Sequence, residues 1–423
     1  MLNELTVNFS NLLLSLSDAV DLANSKIASH QMRTAFIVWQ LCRTAQLPEV
    51  ETDQLYMAAL LHDIGALSLE EKQRLHDFIE VDLDTHCILS EALFNLSPLL
   101  SPAARVVRFH HKPWREWDDP LSSPDVFGAQ ILYLADLLER FIVRDQYILL
   151  QVDDLKKKIL AVSGNELHPE IVDLFMQIAH REDFWFDLTS PRLYSLLLHS
   201  GPYRLTEIGS SSIFSIASLF RHIIDFKSRF TASHSTGVAE CAVLLSQKFG
   251  LTDTEIVQME IAGYFHDLGK LAVPNAILEK NSGLTKEEFA IIRQHTYFTY
   301  SVLNTVGGLD QISEWAAFHH ERLDGSGYPF HISADKINIG ARIMAVADLF
   351  TAVAEDRPYR KGMERKQIES ILLSQVNKNA NDKRITMLLL DNYQEIVARV
   401  KEKQALSTEM FEKKFQQCTQ KSS

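Results

Sequence analysis

Seven side chains in the second half of the chain have the types and spacing of a metal-binding set. They are five histidines and two aspartates, whose ring nitrogens and carboxylate oxygens are ligands for transition metals. Asp267 directly follows His266, and a carboxylate placed there can bridge two ions. Seven ligands exceed the four of a tetrahedral site, so the pattern predicts two ions that share Asp267. The set is His234, His266, Asp267, His295, His319, His320 and Asp348.

The same residue types occur in the same order in the first half. The interval from His30 to His62 equals the interval from His234 to His266, 32 residues. A repeat of this length indicates two copies of one domain and not a solenoid array. The first set is His30, His62, Asp63, His86, His110, His111 and Asp136.

Helices must bring these ligands together. Thr252 with Glu255 forms a capping-box pattern, which predicts a helix that leads to His266-Asp267 and ends at Gly269. A second capping-box pattern, at 285–288, predicts the helix that carries His295. Helical periodicity dominates and only 16 glycines and 12 prolines interrupt it, so the predicted fold is all-α.

Small and polar residues between 200 and 212 mark the predicted boundary, with one domain at 1–205 and the other at 215–423. The first residues predict an amphipathic helix and not a signal peptide. The last helices, around 394–414, are amphipathic. They favour a solvated terminal helix, with a homodimer contact as the alternative.

Composition excludes several classes of protein. The net charge of −13 is unsuited to a general polyanion-binding surface, so DNA is not an expected partner. No run of about 18 apolar residues indicates a membrane span. The four cysteines form no C-x-x-C pair, which favours reduced thiols and a cytoplasmic location.

Three motifs resemble those of the HD-GYP cyclic dinucleotide phosphodiesterases of the HD phosphohydrolase superfamily. Residues 266–270, HDLGK, are similar to the HDxGK element of that family. Residues 319–329, HHERLDGSGYP, are similar to HHExxDGxGYP, and residues 356–360 read DRPYR. The resemblance covers roughly 215–400. The whole chain resembles the tandem subgroup, in which a helical HD domain precedes an HD-GYP domain.

The resemblance implies a role for each motif residue. The seven residues of the second half would ligate two divalent ions, with iron expected first and manganese second. Two departures from the family pattern are Phe230, which favours two ions over three, and Thr351, where many members carry an aspartate. Asp267 and Lys270 would be catalytic, Lys270, Arg357 and Arg360 would contact substrate, and Gly325, Gly327, Tyr328 and Pro329 would shape a substrate-binding loop.

The implied reaction is in-line attack on a phosphodiester by a hydroxide that bridges the two ions. The expected substrate is c-di-GMP, 3′3′-cGAMP or both, and the expected product is a linear dinucleotide or mononucleotides. Two alternatives are an HD-superfamily nucleotide phosphohydrolase and a sensor that binds a cyclic dinucleotide without turnover. The Gly-Tyr-Pro loop and the DRPYR segment argue against the nucleotide phosphohydrolase, and the intact ligand set and Lys270 argue against the sensor.

The first copy lacks several of these features. Ala66 stands at the position of Lys270, and neither a Gly-Tyr-Pro loop nor an Arg-Pro-Tyr-Arg segment follows its histidines. The first copy is therefore predicted to be degenerate. A regulatory partner, a metal or ligand sensor, and a second phosphohydrolase all remain open for it, and so does metal binding.

Overall fold

A computed structural model gives the fold of the protein and describes residues 5–22, 28–66, 69–76, 83–227, 233–280, 282–355 and 361–420. Helices account for nearly all of the regular structure in these ranges, so the all-α prediction is confirmed. Two short strands, β1 (Thr6–Asn8) and β2 (Glu207–Gly209), pair as a two-stranded sheet. The prediction that the chain opens as a helix is wrong for residues 6–8, and α1 begins at Phe9.

The described chain divides into two compact units, built around Asn8–Glu207 and Ile208–Lys414. The first unit contains eleven α-helices among the described residues. They are α1 (Phe9–Asp21), α2 (His30–Thr44), α3 (Glu49–Leu61), α4 (Leu69–His76), α5 (Leu83–Phe94), α6 (Ala104–Arg108), α7 (Pro124–Phe141), α8 (Val152–Ala161), α9 (Pro169–Ile178), α10 (Glu182–Leu188) and α11 (Leu193–Ser200).

The second unit contains ten α-helices among the described residues. They are α12 (Ser210–Lys227), α13 (His234–Phe249), α14 (Asp253–Phe265), α15 (Asn275–Leu278), α16 (Lys286–Val306), α17 (Asp310–Ala317), α18 (Ile339–Ala354), α19 (Arg365–Asn377), α20 (Lys383–Asp391) and α21 (Tyr393–Gln420).

The centre of the second unit is the packing of α13 against α14 and α18. Phe265 of α14 and Phe350 of α18 are fully buried there, and burial of such rings supplies most of the driving force for packing. His234 begins α13, and His266 follows α14. These two predicted ligands therefore occupy helix ends that the core holds in place.

Both predicted capping boxes are present, and each fixes where a helix begins. The Thr252 and Thr285 side chains accept hydrogen bonds from the backbone amides of Glu255 and Glu288, whose carboxylates bond back to the cap. These reciprocal bonds satisfy amides that lack a partner in the first turn. They set the start of the helices that lead to the site.

The predicted end of α14 at Gly269 is wrong. The helix ends at Phe265, and Gly269 lies inside a following 3₁₀-helix, Leu268–Ala272. Gly269 is needed for another reason. A Cβ atom at this position would lie 1.9 Å from the carbonyl oxygen of His295, so glycine allows the 3₁₀-helix to contact the backbone of α16.

None of the helices in the described part of the chain combines the length and the apolar composition that a bilayer crossing requires.

Candidate metal centre

One group of three predicted ligands lies where α13, α14 and α18 meet. His234 and His266 come from the first two helices and Asp348 from the third, and their ligand atoms lie within 4.8 Å of one another. The Nε2 atom of His234 lies 3.1 Å from Oδ1 of Asp348, and that of His266 lies 4.0 Å from the same oxygen. Two nitrogens and one carboxylate thus converge on a single point.

The second group consists of His295, His319 and His320, whose ligand atoms also lie within 4.8 Å of one another. His295 lies in α16, and the His-His pair lies in a 3₁₀-turn, Phe318–His320, that follows α17. The Nε2 atoms of His295 and His319 are 3.4 Å apart. This group offers three nitrogens to one ion.

Asp267 lies between the two groups and faces both. Its Oδ2 atom is 3.3 Å from Nε2 of His266 in the first group. Its Oδ1 atom is 3.5 Å from Nε2 of His295 and 4.0 Å from Nε2 of His319 in the second. One carboxylate oxygen therefore faces each group, which is the arrangement of a bridging ligand between two ions.

The ring orientations fit metal binding. Three histidines donate their Nδ1–H to the carbonyl oxygen three residues earlier, which leaves Nε2 with a lone pair directed into the site. The buried Nε2 of His266 has no hydrogen-bond partner, and an unsatisfied buried nitrogen is costly unless an ion or water binds it. The three bonds are His266 to Gly263 at 2.8 Å, His295 to Ile292 at 2.6 Å and His319 to Ala316 at 2.6 Å.

The partner of His234 is a residue that sequence reasoning missed. Its Nδ1 lies 3.1 and 3.2 Å from the two carboxylate oxygens of Glu355. Thr351, one turn earlier, is buried and makes no such contact with His234 in the described structure. Glu355 therefore supports the ring of His234 from outside the ligand set, as the family pattern would lead one to expect of an aspartate at 351.

Both aspartates are held in the ionised form that metal binding needs. Burial would raise the pKa of Asp267, but His266 and Lys270 outweigh it and hold that pKa well below its usual range. Burial acts on Asp348 in the same way, and its hydrogen bond with His234 lowers the pKa strongly. Both carboxylates therefore carry negative charge across the physiological range.

The histidines divide into two kinds. Burial lowers the pKa of His295 to about 3, and burial with like-charge neighbours lowers the pKa values of His319 and His320. Burial also acts to lower the pKa of His234, but Glu355 and the other nearby carboxylate outweigh it and raise that pKa to about 10. A metal ion must therefore displace a proton from His234 alone among these four.

The Gly-Tyr-Pro loop packs directly on the site. The ring of Tyr328 lies 4.9 Å from the ring of His320, centroid to centroid, and its amide donates to the carbonyl oxygen of His320 at 3.2 Å. Glu321 accepts a hydrogen bond from the amide of Phe330. A Cβ atom at Gly327 would lie 2.4 Å from a backbone nitrogen, so only glycine fits there.

Some of the remaining predicted site residues lie within the described structure and others lie outside it. Lys270 is placed at the centre, where its Nζ contacts Oδ2 of Asp267. Gly325 has a φ of +77° and Pro329 follows a cis peptide bond in the loop. Arg357 and Arg360 lie outside the described residues, as does Phe230.

Comparisons with known proteins identify an HD domain in each half of the chain. An HD-domain profile matches residues 27–140, and a second HD-domain profile matches residues 218–385. The chain is 29% identical to 3′3′-cGAMP-specific phosphodiesterase 1 of Vibrio cholerae over 402 residues, 93% of each protein. It is 24% identical to phosphodiesterase 3 of the same organism over 413 residues, covering 85% of this chain and 89% of that one.

A shorter match, 38% identical over 136 residues, is to the cyclic di-GMP phosphodiesterase PA4108 of Pseudomonas aeruginosa and covers 31% of this chain and 32% of that protein. The crystal structure of the Vibrio cholerae cyclic GMP-AMP phosphodiesterase V-cGAP3 superposes with a TM-score of 0.64 at 21% identity, over 92% of this chain and 98% of that one. This similarity shows a common fold. With one HD profile on each half, and the HD-GYP motifs on the second, the chain belongs to the HD family as a tandem HD and HD-GYP protein.

Proposed function

We propose that the second half of the chain, 215–423, is a metal-dependent phosphodiesterase that opens cyclic dinucleotides. The observation that supports this most directly is the position of Asp267, with one oxygen toward each group of ligands. Two ions held by the seven residues would supply Lewis acidity to a phosphate and activate a water molecule. Iron is the first metal to test and manganese the second, because imidazole and carboxylate ligands suit both.

The chain's own residues prepare the site for an anionic substrate. Bound metal ions would neutralise the charge of Asp267 and Asp348. The ammonium group of Lys270 contacts Asp267 and adds a further positive charge there. A fixed cation at this point stabilises negative charge that develops on a phosphate during its displacement. The overall charge of −13 is therefore compatible with a phosphate ligand, since the local field decides binding.

The loop residues would form the wall of the substrate pocket. Tyr328 lies against His320 with its ring about 5 Å away, and Arg293 lies 4.8 Å from the face of the same tyrosine. An aromatic ring beside the metal ligands offers a stacking surface to a base. Arg357 and Arg360 are proposed as donors to phosphate or guanine edges. This part of the proposal rests on the DRPYR motif alone.

The first substrate to test is 3′3′-cGAMP, because two relatives aligned over most of their length bear that specificity in their names. Cyclic di-GMP is the second, because PA4108 is named for it. A linear dinucleotide is the expected first product. The three described cysteines outside the terminal helix are free and buried, which supports a cytoplasmic site of action.

The deciding experiment is product analysis with the full chain reconstituted anaerobically with Fe(II) or Mn(II). We expect a linear dinucleotide from at least one substrate, and loss of that product in Asp267→Ala. Asp335→Ala, an exposed aspartate in the same unit, is the matched control and retains turnover. Tight binding of intact substrate without any product would instead identify a sensor, and release of phosphate from nucleotides alone would identify a nucleotide phosphohydrolase.

A further inference from the structure

The first unit also gathers its seven histidines and aspartates into one buried cluster. His30, His62 and Asp63 have ligand atoms within 4.8 Å of one another. A second group shares Asp63 and adds three more histidines at the same mutual distance, so the carboxylate again lies between two groups. This second group is Asp63, His86, His110 and His111.

Two of these rings are oriented as their counterparts are in the second unit. His62 donates Nδ1–H to the carbonyl oxygen of Ala59 at 2.9 Å, and His110 donates to that of Val107 at 2.6 Å. Their Nε2 atoms therefore carry the lone pairs and face Asp63, at 3.5 and 3.7 Å.

Several buried polar atoms at this point have no hydrogen-bond partner in the structure. They include the Nε2 atoms of His62 and His110 and the Oδ1 atom of Asp63. The two histidines are fully buried and Asp63 is 8% exposed. Unsatisfied buried atoms are uncommon in folded proteins. Two of these atoms, Nε2 of His110 and Oδ1 of Asp63, lie 3.7 Å apart within the second group, which points to an ion bound there. Three nitrogens and one oxygen make up the coordination number of a closed metal site.

The surroundings differ from those of the second unit in a way that restricts access. Arg140, one turn after Asp136, lies with its Nη1 3.1 Å from that carboxylate and also contacts the carbonyl of Leu75. The corresponding residue of the second copy is Ala352. The guanidinium thus places a cation against Asp136 in the wall of the adjacent cavity, and Ala66 leaves no counterpart of Lys270.

The remaining space is that of an ion and not of a nucleotide. Among the described residues, the cavity beside the cluster, which Asp63 and His111 line together with His76 and Arg140, has a volume of about 10 Å³. A cavity of that size holds about one water molecule, whereas pockets for drug-sized ligands have volumes of roughly 300 Å³ or more.

We propose that the first unit holds a second metal centre, in which Asp63, His86, His110 and His111 bind one transition-metal ion in a closed, non-hydrolytic site. The ion cross-links α5 to the segments that follow α3 and α6, because the four ligands come from these three places. Its role is to stabilise the first unit, since binding to the folded state alone raises stability.

The test uses the full chain with both ligand groups of the second unit disabled by His266→Ala, Asp267→Ala and His295→Ala. After anaerobic loading with Mn(II) or Fe(II) and gel filtration, we expect about one ion per chain by elemental analysis. The ion should be lost when His110→Ala is added and kept when His180→Ala, an exposed histidine of the same unit, is added. His86→Gln is a second, milder variant in case the alanine protein does not fold.

Two readouts can overturn the proposal. If the background protein carries no metal above a buffer control, the site does not bind an ion. If it carries metal but hydrolyses a cyclic dinucleotide, the site is not closed. In contrast, a metal-dependent rise in Tm that His110→Ala removes would support the stabilising role. These outcomes do not depend on whether the second unit is active.

Discussion

Replacing Gly269 by alanine tests whether close contact between two backbone segments holds the metal centre together. The added Cβ would lie 1.9 Å from the carbonyl oxygen of His295 and 2.9 Å from Cβ of Phe298. Carbon and oxygen atoms in contact are about 3.3 Å apart. The 3₁₀-helix after Asp267 and the helix that carries His295 must therefore separate by about 1.4 Å, and both segments contain predicted ligands.

The size of the effect follows from that displacement. Forcing one extra carbon into a packed interior costs about 1–3 kcal/mol. For a unit of this size each kcal/mol lowers Tm by about 2–4 °C, so we expect a fall of about 2–12 °C. The displacement also moves His295 away from Asp267, whose ligand atoms are 3.5 Å apart. A misplacement of about 1 Å at a reacting centre can reduce the rate about 100-fold.

The assay combines calorimetry, metal content and turnover of 3′3′-cGAMP for the full chain. Gly283→Ala is the neutral control, because no atom lies within 4 Å of its added Cβ. Gly65→Ala is the matched variant of the first unit, where the Cβ would lie 2.2 Å from the carbonyl oxygen of His86, and it should also lower Tm. A Gly269→Ala protein with wild-type Tm, metal content and turnover would refute the packing argument.

Three further predictions concern the charges around the site. Lys270→Gln should retain metal, because the ligands are intact, but lower kcat by about 100- to 1,000-fold through loss of a cation beside Asp267; wild-type kcat would contradict the substrate role. Because Glu355 and a second carboxylate raise the pKa of His234 to about 10, metal affinity should increase as the pH rises from 6 toward 9, with release of about one proton per chain from this residue. Calorimetry in buffers of different ionisation enthalpy measures that release, and a pH-independent affinity would oppose it. Glu355→Gln should lower the pKa of His234 and reduce the proton release at pH 8, whereas an unchanged release would show that Asp348 alone sets this pKa.

Spacing predicted which side chains would meet, since the structure brings all seven residues of each half together. That inference needed no knowledge of the fold, because the same residue types recur in the same order in both halves. The capping boxes were predictable for a related reason. Thr252 and Glu255 interact three residues apart, so their bond depends only on local sequence.

The error at Gly269 has a physical cause. A glycine after a helical run usually marks the end of the helix, and a sequence does not reveal whether a neighbouring segment approaches the same residue. In the structure the helix ends at Phe265, and the glycine serves a contact with His295, 26 residues later in the chain. Local signals cannot distinguish a glycine that terminates a helix from one that admits a distant backbone.

The outer shell of the metal centre was not predictable because its carboxylate is free to come from different turns of one helix. In the first unit Glu139, three residues after the last ligand, lies 2.5 Å from Nδ1 of His30. In the second unit that position is Thr351, and Glu355, one turn further on, reaches Nδ1 of His234 instead. A metal ion constrains its ligands to converge on one point, whereas an outer partner need only reach a ring nitrogen. Ligands therefore stay in register between the two copies, and their supporting carboxylates shift by a turn.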